Sequence, residues 1–290
     1  AIAEALTNIV FAPLEEGLKS ISLSANWMWP CNNPGEDARL YEAVQECSDF
    51  AISLGINIPT GKDSLSMKQK YSDGDVLAPG TVIISAAGQC KDINNIITPV
   101  ATLNGGDIYY IDFAQDKFYL GGSSFAQSQN RIGTNTPSVQ NSAYFKKAFN
   151  SVQDHILNGK INAGHDIGSG GLITSLLELC FPSTSLGIEI DFTGLNEDDL
   201  VKILFSEKVG VILQSTENLT TSFDKMGIKA IKIGKTTKQN VLTIGEIHLS
   251  IPLMRKTWMT TSTKLESKQT KPDLAAIRAE NVIKQPLKFN

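Results

Sequence analysis

Residues 163–173 contain the side chains and backbone best suited to bind a nucleotide. Asp166 is followed by three glycines and a serine, and an apolar run at residues 172–181 begins directly after them. A glycine-rich turn that leads into a helix presents free N–H groups and the positive end of the helix dipole, which favour phosphate. An aspartate beside such a turn can ligate the divalent metal of a polyphosphate. Short glycine patterns recur in many proteins, so a tight turn without a ligand is the more common explanation.

Two more oxygen-bearing side chains, Glu4 and Asn8, stand four residues apart in a segment predicted to be helical at residues 2–18. Residues at this spacing share one face of a helix. Carboxylate and amide oxygens suit a hard cation such as Mg²⁺. For an isolated pair a solvated polar face is the better explanation, so the pair gains meaning only together with a third ligand such as Asp166.

A further cluster follows a short strand predicted at residues 56–59. Gly61, Lys62, Asp63 and Ser64 occupy the predicted loop after it, and ligands often bind directly after a strand in α/β proteins. Lys62 can neutralise phosphate, Asp63 can ligate a metal and Ser64 can donate a hydrogen bond. A polar hairpin turn explains the same residues equally well.

Composition excludes several classes of protein. The chain has 290 residues, of which 41% are hydrophobic, enough for one large or two ordinary domains. Its net charge of −4 is atypical of a general nucleic-acid binder. Four cysteines lie far apart without a Cys-x-x-Cys pair, which argues against a zinc site or a disulfide framework and favours a reducing cytoplasm. There is no membrane-length apolar run and no visible signal peptide, and the start at Ala1 predicts a piece of a longer polypeptide.

Hydrophobic periodicity predicts helices and strands that alternate without a strict βαβ rhythm, which favours mixed sheets over a doubly wound fold. One helix is predicted to begin after Asn33 as its N-cap and to end at Gly55, and another covers residues 142–158. A strand at residues 81–90 is expected to be buried. The remaining predicted helices are 196–207, 219–226, 250–265 and a short one at 272–281, and the remaining strands are 21–27, 107–113, 187–192, 210–214, 228–233 and 241–244.

Several segments follow one another in an order and spacing that resemble one enzyme family. They are Ala3-Glu4-Ala5-Leu6-Thr7-Asn8, Leu23-Ser24-Ala25-Asn26-Trp27-Met28, Pro34-Gly35-Glu36-Asp37, Ile58-Pro59-Thr60-Gly61-Lys62-Asp63-Ser64-Leu65-Ser66-Met67 and His165-Asp166 with the glycine turn. Over essentially its whole length the chain resembles the large, single-chain phosphoribosylformylglycinamidine synthase of purine biosynthesis. The resemblance places it in the second, C-terminal half of the synthetase core.

The resemblance implies an α+β fold, a two-domain unit similar to aminoimidazole ribonucleotide synthetase with mixed sheets covered by helices. The implied divisions are an N-terminal-type domain at residues 1–98, a C-terminal-type domain at 99–265 and a linker at 266–290 toward a glutaminase domain. Turn residues at 92–104 and the polar composition beyond residue 266 indicate the same divisions.

The resemblance also implies a reaction. The family uses ATP to phosphorylate the amide oxygen of formylglycinamide ribonucleotide, and ammonia from glutamine then displaces the phosphate. Phosphoryl transfer of this kind depends on cations placed around the transferring group. Glu4, Asn8 and Asp166 match magnesium ligands of the family, which has a further acidic ligand upstream of Ala1.

The resemblance assigns two more sets of residues. The positions expected to contact ATP or ADP are Gly168, Ser169, Gly170 and Gly61, and those expected to contact substrate are Lys62, Asp63 and Ser64. Gly168 stands where some relatives have serine, so it can offer only a backbone contact, with Ser169 as the substitute hydroxyl. Lys62 stands where smaller synthases have asparagine. His165 is expected to be structural, and no catalytic residue is expected in this chain.

The implied partners are the remaining domains of the same polypeptide, the first synthetase half and the glutaminase domain. Nucleic acid and membrane are not expected as partners, and the expected location is cytoplasmic. Two alternatives remain open. The chain could be a structural half-domain that pairs with its partner half and forms a homodimer when alone. It could also be another member of the wider superfamily, such as a selenophosphate or thiamine-monophosphate kinase relative.

Overall fold

The chain folds around two β-sheets and a separate β-hairpin in the computed structural model, which describes residues 1–183 and 185–284. The strands are β1 Ser22–Met28, β2 Asn57–Ser64, β3 Lys68–Tyr71, β4 Gly74–Leu77, β5 Thr81–Ala87, β6 Asp107–Asp112, β7 Ala163–Asp166, β8 Gly187–Ile190, β9 Gly210–Ser215, β10 Ala230–Thr237, β11 Val241–Ile244 and β12 Ile247–Ser250. The helices are α1 Ile2–Ile9, α2 Glu36–Leu54, α3 Ser124–Ser128, α4 Ser142–Leu157, α5 Gly171–Cys180, α6 Leu200–Phe205, α7 Leu219–Asp224, α8 Ile251–Gln269 and α9 Pro272–Lys284.

Strand β1 lies at the centre of a three-stranded sheet with the order β2-β1-β5. It pairs parallel to β2 and antiparallel to β5. Leu23 and Ala25 of β1 are buried and alternate with more exposed residues, the pattern of a sheet with one face on the core. The expectation that residues 81–90 form a buried strand was wrong, since β5 is only half-buried and Ile83 is 51% exposed.

The larger sheet has seven strands in the order β12-β11-β8-β10-β6-β9-β7. Neighbouring strands pair antiparallel except β8 and β11, which are parallel. Alternate residues of β6 face different cores: Tyr109 and Ile111 pack with residues of α4 and α7, whereas Ile108 and Tyr110 pack with residues of α5 and α6. Helices therefore cover both faces, and the predicted α+β fold with mixed sheets is confirmed.

Helix α4 forms as its periodicity predicts. Its five apolar residues on the predicted inner face are each at most 1% exposed: Phe145, Ala148, Phe149, Val152 and Ile156. Asn141 caps the helix, because its side-chain oxygen accepts a hydrogen bond from the N–H of Tyr144 at 2.9 Å.

The first helix is shorter than predicted, since α1 covers only eight residues. Beyond its end the buried side chain of Gln153, on α4, satisfies the backbone. Its amide N–H donates to the carbonyl oxygens of Val10 at 2.5 Å and Ala12 at 2.8 Å, and its Oε1 accepts from the N–H of Leu14 at 2.8 Å. Pro13 cannot supply an N–H to a longer helix. The long-range amide contacts thus replace the helical hydrogen bonds that were expected.

The predicted N-cap of α2 was also wrong. The helix begins three residues after Asn33, whose side-chain amide instead donates to the carbonyl oxygen of Pro30 at 2.7 Å and closes a turn. Gly55 ends the helix as predicted. Helix α6 likewise starts later than predicted, because the carboxylate of Asp199 accepts from the N–H of Val201 and caps it there.

The C-terminal helices α8 and α9 run antiparallel. Arg278 of α9 contacts Glu266, whereas Arg255 near the start of α8 donates to the carbonyl oxygen of Val282 at 2.6 Å. The predicted linker at 266–290 is therefore mostly helical as far as residue 284, and its last six residues lie outside the described residues. In the described part of the chain no helix is long and apolar enough to cross a membrane.

His155 is a titratable group buried against one face of the large sheet. Its ring stacks on Phe223 with centroids 4.0 Å apart, Nδ1 donates to the carbonyl oxygen of Ser151 at 2.7 Å, and Nε2 lies 2.9 Å from Ser222 Oγ. Burial lowers the pKa of His155 below its usual 6.5 and outweighs the opposite effect of the Ser151 hydrogen bond.

We expect His155 to make the native state less stable as the pH falls below 6.5. The unfolded chain takes up a proton there while the buried ring stays neutral, so the free energy of unfolding decreases. Denaturant titrations at about pH 7 and about pH 5 should therefore show a smaller pH dependence for His155→Gln than for the wild type. Replacement of the exposed His248 by Gln is the control. Equal pH dependence in wild type and His155→Gln would contradict the prediction.

Candidate functional site

Glu4, Asn8 and Asp166 line a single cleft of about 560 Å³, although they come from distant parts of the sequence. The cleft lies between α1, β5 and the end of β7, and residues 82–86 of β5 form its other wall. The structure therefore brings together the three side chains predicted as metal ligands, two carboxylates and one amide.

Core packing of α1 turns two of these side chains toward the cleft. Ile2, Ala3 and Leu6 are at most 8% exposed and hold one face of the helix against the core. Glu4 and Asn8 lie one turn apart on the other face and are exposed. The same amphipathic pattern that forms the helix thus determines where its oxygen-bearing residues point.

Gly164 allows β7 to approach the segment that follows α1. A Cβ atom at this position would lie 2.2 Å from Cε1 of Phe11, far inside contact distance. Any side chain at position 164 would therefore push Phe11 away from β7. Because Asp166 follows two residues later on the same strand, this close contact also sets how near its carboxylate lies to α1.

His165 lies between two acidic side chains. Its Nδ1 is 3.3 Å from a carboxylate oxygen of Asp166, and its Nε2 is 3.2 Å from a carboxylate oxygen of Glu178. Burial alone would lower the pKa of His165, but the hydrogen bonds to Asp166 and Glu178 outweigh it and raise the pKa to about 10. The ring is therefore charged at neutral pH and does not provide a free base.

The glycine turn before α5 has two positions that require glycine. Gly170 and Gly171 have φ angles of +89° and +74°, in the region that side chains rarely adopt. Gly168 lies outside that region, and a methyl group there would be 3.9 Å from Oε1 of Glu4, an ordinary contact distance. Two glycines thus have a structural role in a tight turn, and the third lies beside a predicted metal ligand, with Ser169 exposed between them.

Glu207, a residue that the sequence did not indicate, holds this turn. Its Oε1 accepts hydrogen bonds at 2.8 Å from the N–H of Gly170 and from the N–H of Ser124, the first residue of α3. A carboxylate is favoured beside the N-terminus of a helix such as α5. The N–H of Gly170 is therefore occupied, and a phosphate would have to displace Glu207 to bind it. No local signal marks Glu207, because its partners lie 37 and 83 residues away.

Residues 61–64 lie on strand β2 and not in the loop that was predicted. The parallel pairing of β1 and β2 continues to the end of both strands, where Met28 faces Ser64, and holds the backbone extended. Lys62 Nζ donates to the carbonyl oxygen of Asp63 at 3.0 Å and also contacts Ser64 Oγ. The side chains of Lys62 and Ser64 thus form a small polar group at the surface, which Asp63 joins through its backbone carbonyl.

The structure separates the two predicted clusters. Strand β2 carries Gly61 and Lys62, strand β5 lines the cleft, and β1 lies between them. Two inter-strand spacings amount to about 10 Å. Gly61 therefore lies apart from the cleft. Gly168, in the glycine turn, lies beside Glu4.

The cleft has the donor chemistry of a site for a hard cation. Its side-chain oxygen donors are two carboxylates, an amide and the hydroxyl of Ser85, and among the described residues that line it there is no lysine or arginine. Within the described residues, no three His, Cys, Asp or Glu side chains gather as a metal-binding group. The predicted set contains only two such residues, Glu4 and Asp166, and fits Mg²⁺ only together with Asn8 and other ligands.

Comparison with known proteins identifies the family. Residues 1–89 match the family described as FGAR-AT PurM_N-like domain, and residues 119–246 match AIR synthase related protein, C-terminal domain. The probable phosphoribosylformylglycinamidine synthase, chloroplastic/mitochondrial, of Arabidopsis thaliana is 38% identical over 281 residues, covering 93% of this chain and 20% of that protein. The probable phosphoribosylformylglycinamidine synthase of Caenorhabditis elegans is 33% identical, with 93% and 22% covered. The chain belongs to the phosphoribosylformylglycinamidine synthase family.

The chain spans about a fifth of the length of these synthase relatives. Its fold also occurs in PurL of Thermotoga maritima. The PurL complex with ATP has a TM-score of 0.61 at 11% identity and the complex with FGAR 0.62 at 14%; this chain covers 40% of the PurL chain in both. The likeness at such low identity shows the fold alone, whereas the synthase relatives show the family.

The structure predicts that alanine lowers the free energy of unfolding at one predicted site glycine, Gly61, and leaves it nearly unchanged at another, Gly168. A Cβ at Gly61 would lie 2.2 Å from the carbonyl oxygen of Ala25, so β1 and β2 would have to move apart. We expect Gly61→Ala to lower the free energy of unfolding by about 1–3 kcal/mol. Gly168→Ala, which meets only an ordinary contact, should change it by less than about 0.5 kcal/mol. Denaturant titration measures both, and a Gly61→Ala variant as stable as wild type would contradict the β2 pairing.

Proposed function

We propose that this chain is the second half of the synthetase core of a phosphoribosylformylglycinamidine synthase, an ATP-dependent carbon–nitrogen ligase with glutamine as the amide donor. The observation that carries the proposal is the convergence of Glu4, Asn8 and Asp166 on one cleft. Local sequence spacing alone favoured a solvated face for the first two residues. Their meeting with a distant aspartate beside a glycine turn supports a joint role in binding Mg²⁺ and ATP or ADP.

In this proposal Glu4, Asn8 and Asp166 hold Mg²⁺, which would neutralise negative charge on the nucleotide phosphates when bound. The described residues that line the cleft include no lysine or arginine to neutralise the phosphates, which supports a metal-dependent site. Gly168 and Ser169 are the turn residues best placed for nucleotide contacts, because the N–H of Gly170 already donates to Glu207.

We assign Lys62, Asp63 and Ser64 to the substrate, formylglycinamide ribonucleotide. These side chains form an exposed polar group with one cation, which suits the phosphate of a ribonucleotide. Their distance from the cleft supports separate binding positions on the small sheet, with the nucleotide beside β5 and the substrate beside β2.

The whole reaction belongs to the longer protein in this proposal. The chain spans about a fifth of its relatives, so the remaining synthetase half and the glutaminase domain are its expected partners, and the chain alone should be inactive. We keep the cytoplasm as the proposed location; the Arabidopsis thaliana relative is named as chloroplastic or mitochondrial.

Removal of both carboxylates should abolish nucleotide binding at this site. We expect the double variant Glu4→Ala and Asp166→Ala of the intact synthase to bind one nucleotide fewer per chain than wild type, because the Mg²⁺ ligands are lost. Isothermal titration with Mg-ADP measures the stoichiometry. Asp198→Ala with Glu246→Ala is the matched control, since both residues are exposed and lie away from the cleft. An unchanged stoichiometry in the double variant would show that the metal assignment is wrong.

A second candidate function is that of a structural half that pairs through the separate β-hairpin. The hairpin formed by β3 and β4 exposes large apolar side chains, with Tyr71 and Val76 each 59% exposed and Leu77 43% exposed. Apolar groups exposed together on a two-stranded hairpin favour an interface with the partner half or with a second copy.

If this surface forms an interface, the isolated chain should sediment as a dimer. We expect Val76→Lys to shift the equilibrium toward monomer, because a lysine in an apolar contact must lose its water. Val201→Lys is the control, since Val201 is 43% exposed on the distant helix α6. Analytical ultracentrifugation over a concentration series distinguishes the variants, and a wild-type chain that stays monomeric throughout would exclude homodimer formation.

A further inference from the structure

Three consecutive residues between α6 and β9 contact the stretch of chain that runs from the end of β6 to the start of α3. Ser206 Oγ donates to the carbonyl oxygen of Tyr119 at 2.8 Å. Lys208 Nζ, only 3% exposed, donates at 3.0 Å both to a carboxylate oxygen of Asp112 and to the carbonyl oxygen of Asp116. The segment is therefore fixed on both sides of Glu207.

Glu207 uses this fixed position to join the glycine turn to the first residue of α3. One oxygen, Oε1, accepts from the N–H of Ser124 and from the N–H of Gly170, each at 2.8 Å. Hydrogen bonds from N–H groups to a carboxylate are stronger than those between neutral groups. The two N–H groups are separated by more than forty residues of sequence and meet at this one atom.

Other contacts also hold the glycine turn: the N–H of Ile167 donates to the carbonyl oxygen of Gly210 at 3.0 Å, Thr174 Oγ1 donates to the carbonyl oxygen of Gly170 at 3.1 Å, and Gly171 packs against the backbone of Leu204 and Phe205. Glu207 is the side chain that accepts the N–H of Gly170. Helix α5 has no side-chain cap, and within the turn the N–H of Gly171 donates to the carbonyl oxygen of Gly168 at 3.0 Å. Glycines lose more backbone freedom on ordering than other residues, so a turn of this composition needs an external anchor. Gly168 also lies beside Glu4, so a shift of the turn would alter the metal side of the cleft.

We infer that Glu207 is a positioning residue for the nucleotide site, holding the glycine turn against the ligands Glu4 and Asp166 by accepting its backbone N–H. This inference rests on the proposed function. It concerns the acceptor oxygen and its reach, which set the position of the turn; the negative charge strengthens the two hydrogen bonds without setting that position. A glutamine at position 207 keeps the carbonyl oxygen and the chain length, and that oxygen can accept two hydrogen bonds. An aspartate keeps the charge but is one methylene too short.

The test compares Glu207→Gln, Glu207→Asp and Glu207→Ala in the intact synthase, with the Kd for Mg-ADP measured by isothermal titration. We expect Kd to rise about tenfold in Glu207→Asp and Glu207→Ala and to stay within about threefold of wild type in Glu207→Gln. Ser215→Ala is the matched control, because it removes a buried side-chain hydrogen bond, from Oγ to the carbonyl oxygen of Lys160 at 2.6 Å, that does not hold the segment of Glu207. Its thermal stability should fall while its Kd for Mg-ADP stays unchanged.

Hydrogen exchange provides a second readout that a general loss of stability does not reproduce. The amides of Gly170 and Ser124 should exchange faster in Glu207→Asp than in wild type, and at the wild-type rate in Glu207→Gln and Ser215→Ala. If Glu207→Ala does not fold, the comparison of Glu207→Asp with Glu207→Gln carries the test.

A wild-type Kd in Glu207→Asp would overturn the inference. An equal loss of affinity in Glu207→Gln and Glu207→Asp would also overturn it, because charge or stability would then matter in place of the reach of the side chain. These results differ from a failure of the proposed function. In that case the Glu4 and Asp166 double variant would bind Mg-ADP as wild type does, whatever the effect of Glu207.

Discussion

The candidate site depends above all on how the first helix packs against the core of the large sheet. Leu6 and Val10 are fully buried in the same core as Phe149 and Leu213, although the two pairs lie far apart in the sequence. Gly164 brings β7 into contact with Phe11 in the same region. Two candidate ligands lie on α1 and the third lies at the end of β7, so this one packing contact sets the dimensions of the cleft. The other wall is formed by β5 of the small sheet, which packs against the same helix.

Elements with a strong local pattern could be predicted from the sequence because their burial repeats with the period of the structure. The inner face of α4 is the clearest example, since every apolar residue assigned to it is buried. The spacing of its apolar residues is enough to predict such a helix, and neither its start nor its packing face requires knowledge of distant residues. The end of α2 at Gly55 is likewise a local property of glycine.

The features that could not be predicted all depend on distant partners. Helix α1 ends where the side chain of Gln153 takes over its backbone groups. Residues 61–64 are extended because β1 holds them, and without that pairing glycine, lysine, aspartate and serine indicate a loop. Glu207 acts on loops 37 and 83 residues away. For Glu4 and Asn8, local spacing favoured a solvated face, and only the ordered motifs of the resemblance joined them to Asp166.

The charges around the cleft determine what kind of nucleotide site this can be. Glu4 and Asp166 line it, Glu207 accepts the N–H of Gly170 at the start of α5, and the charged ring of His165 lies between Asp166 and Glu178. The helix N-terminus, the usual reason to expect phosphate at a glycine turn, already has its anion. A phosphate that entered alone would face two carboxylates without a lysine or arginine among the lining residues. Under the proposed function the phosphates must therefore enter together with a divalent cation, and the turn serves to place Gly168 beside the metal ligands.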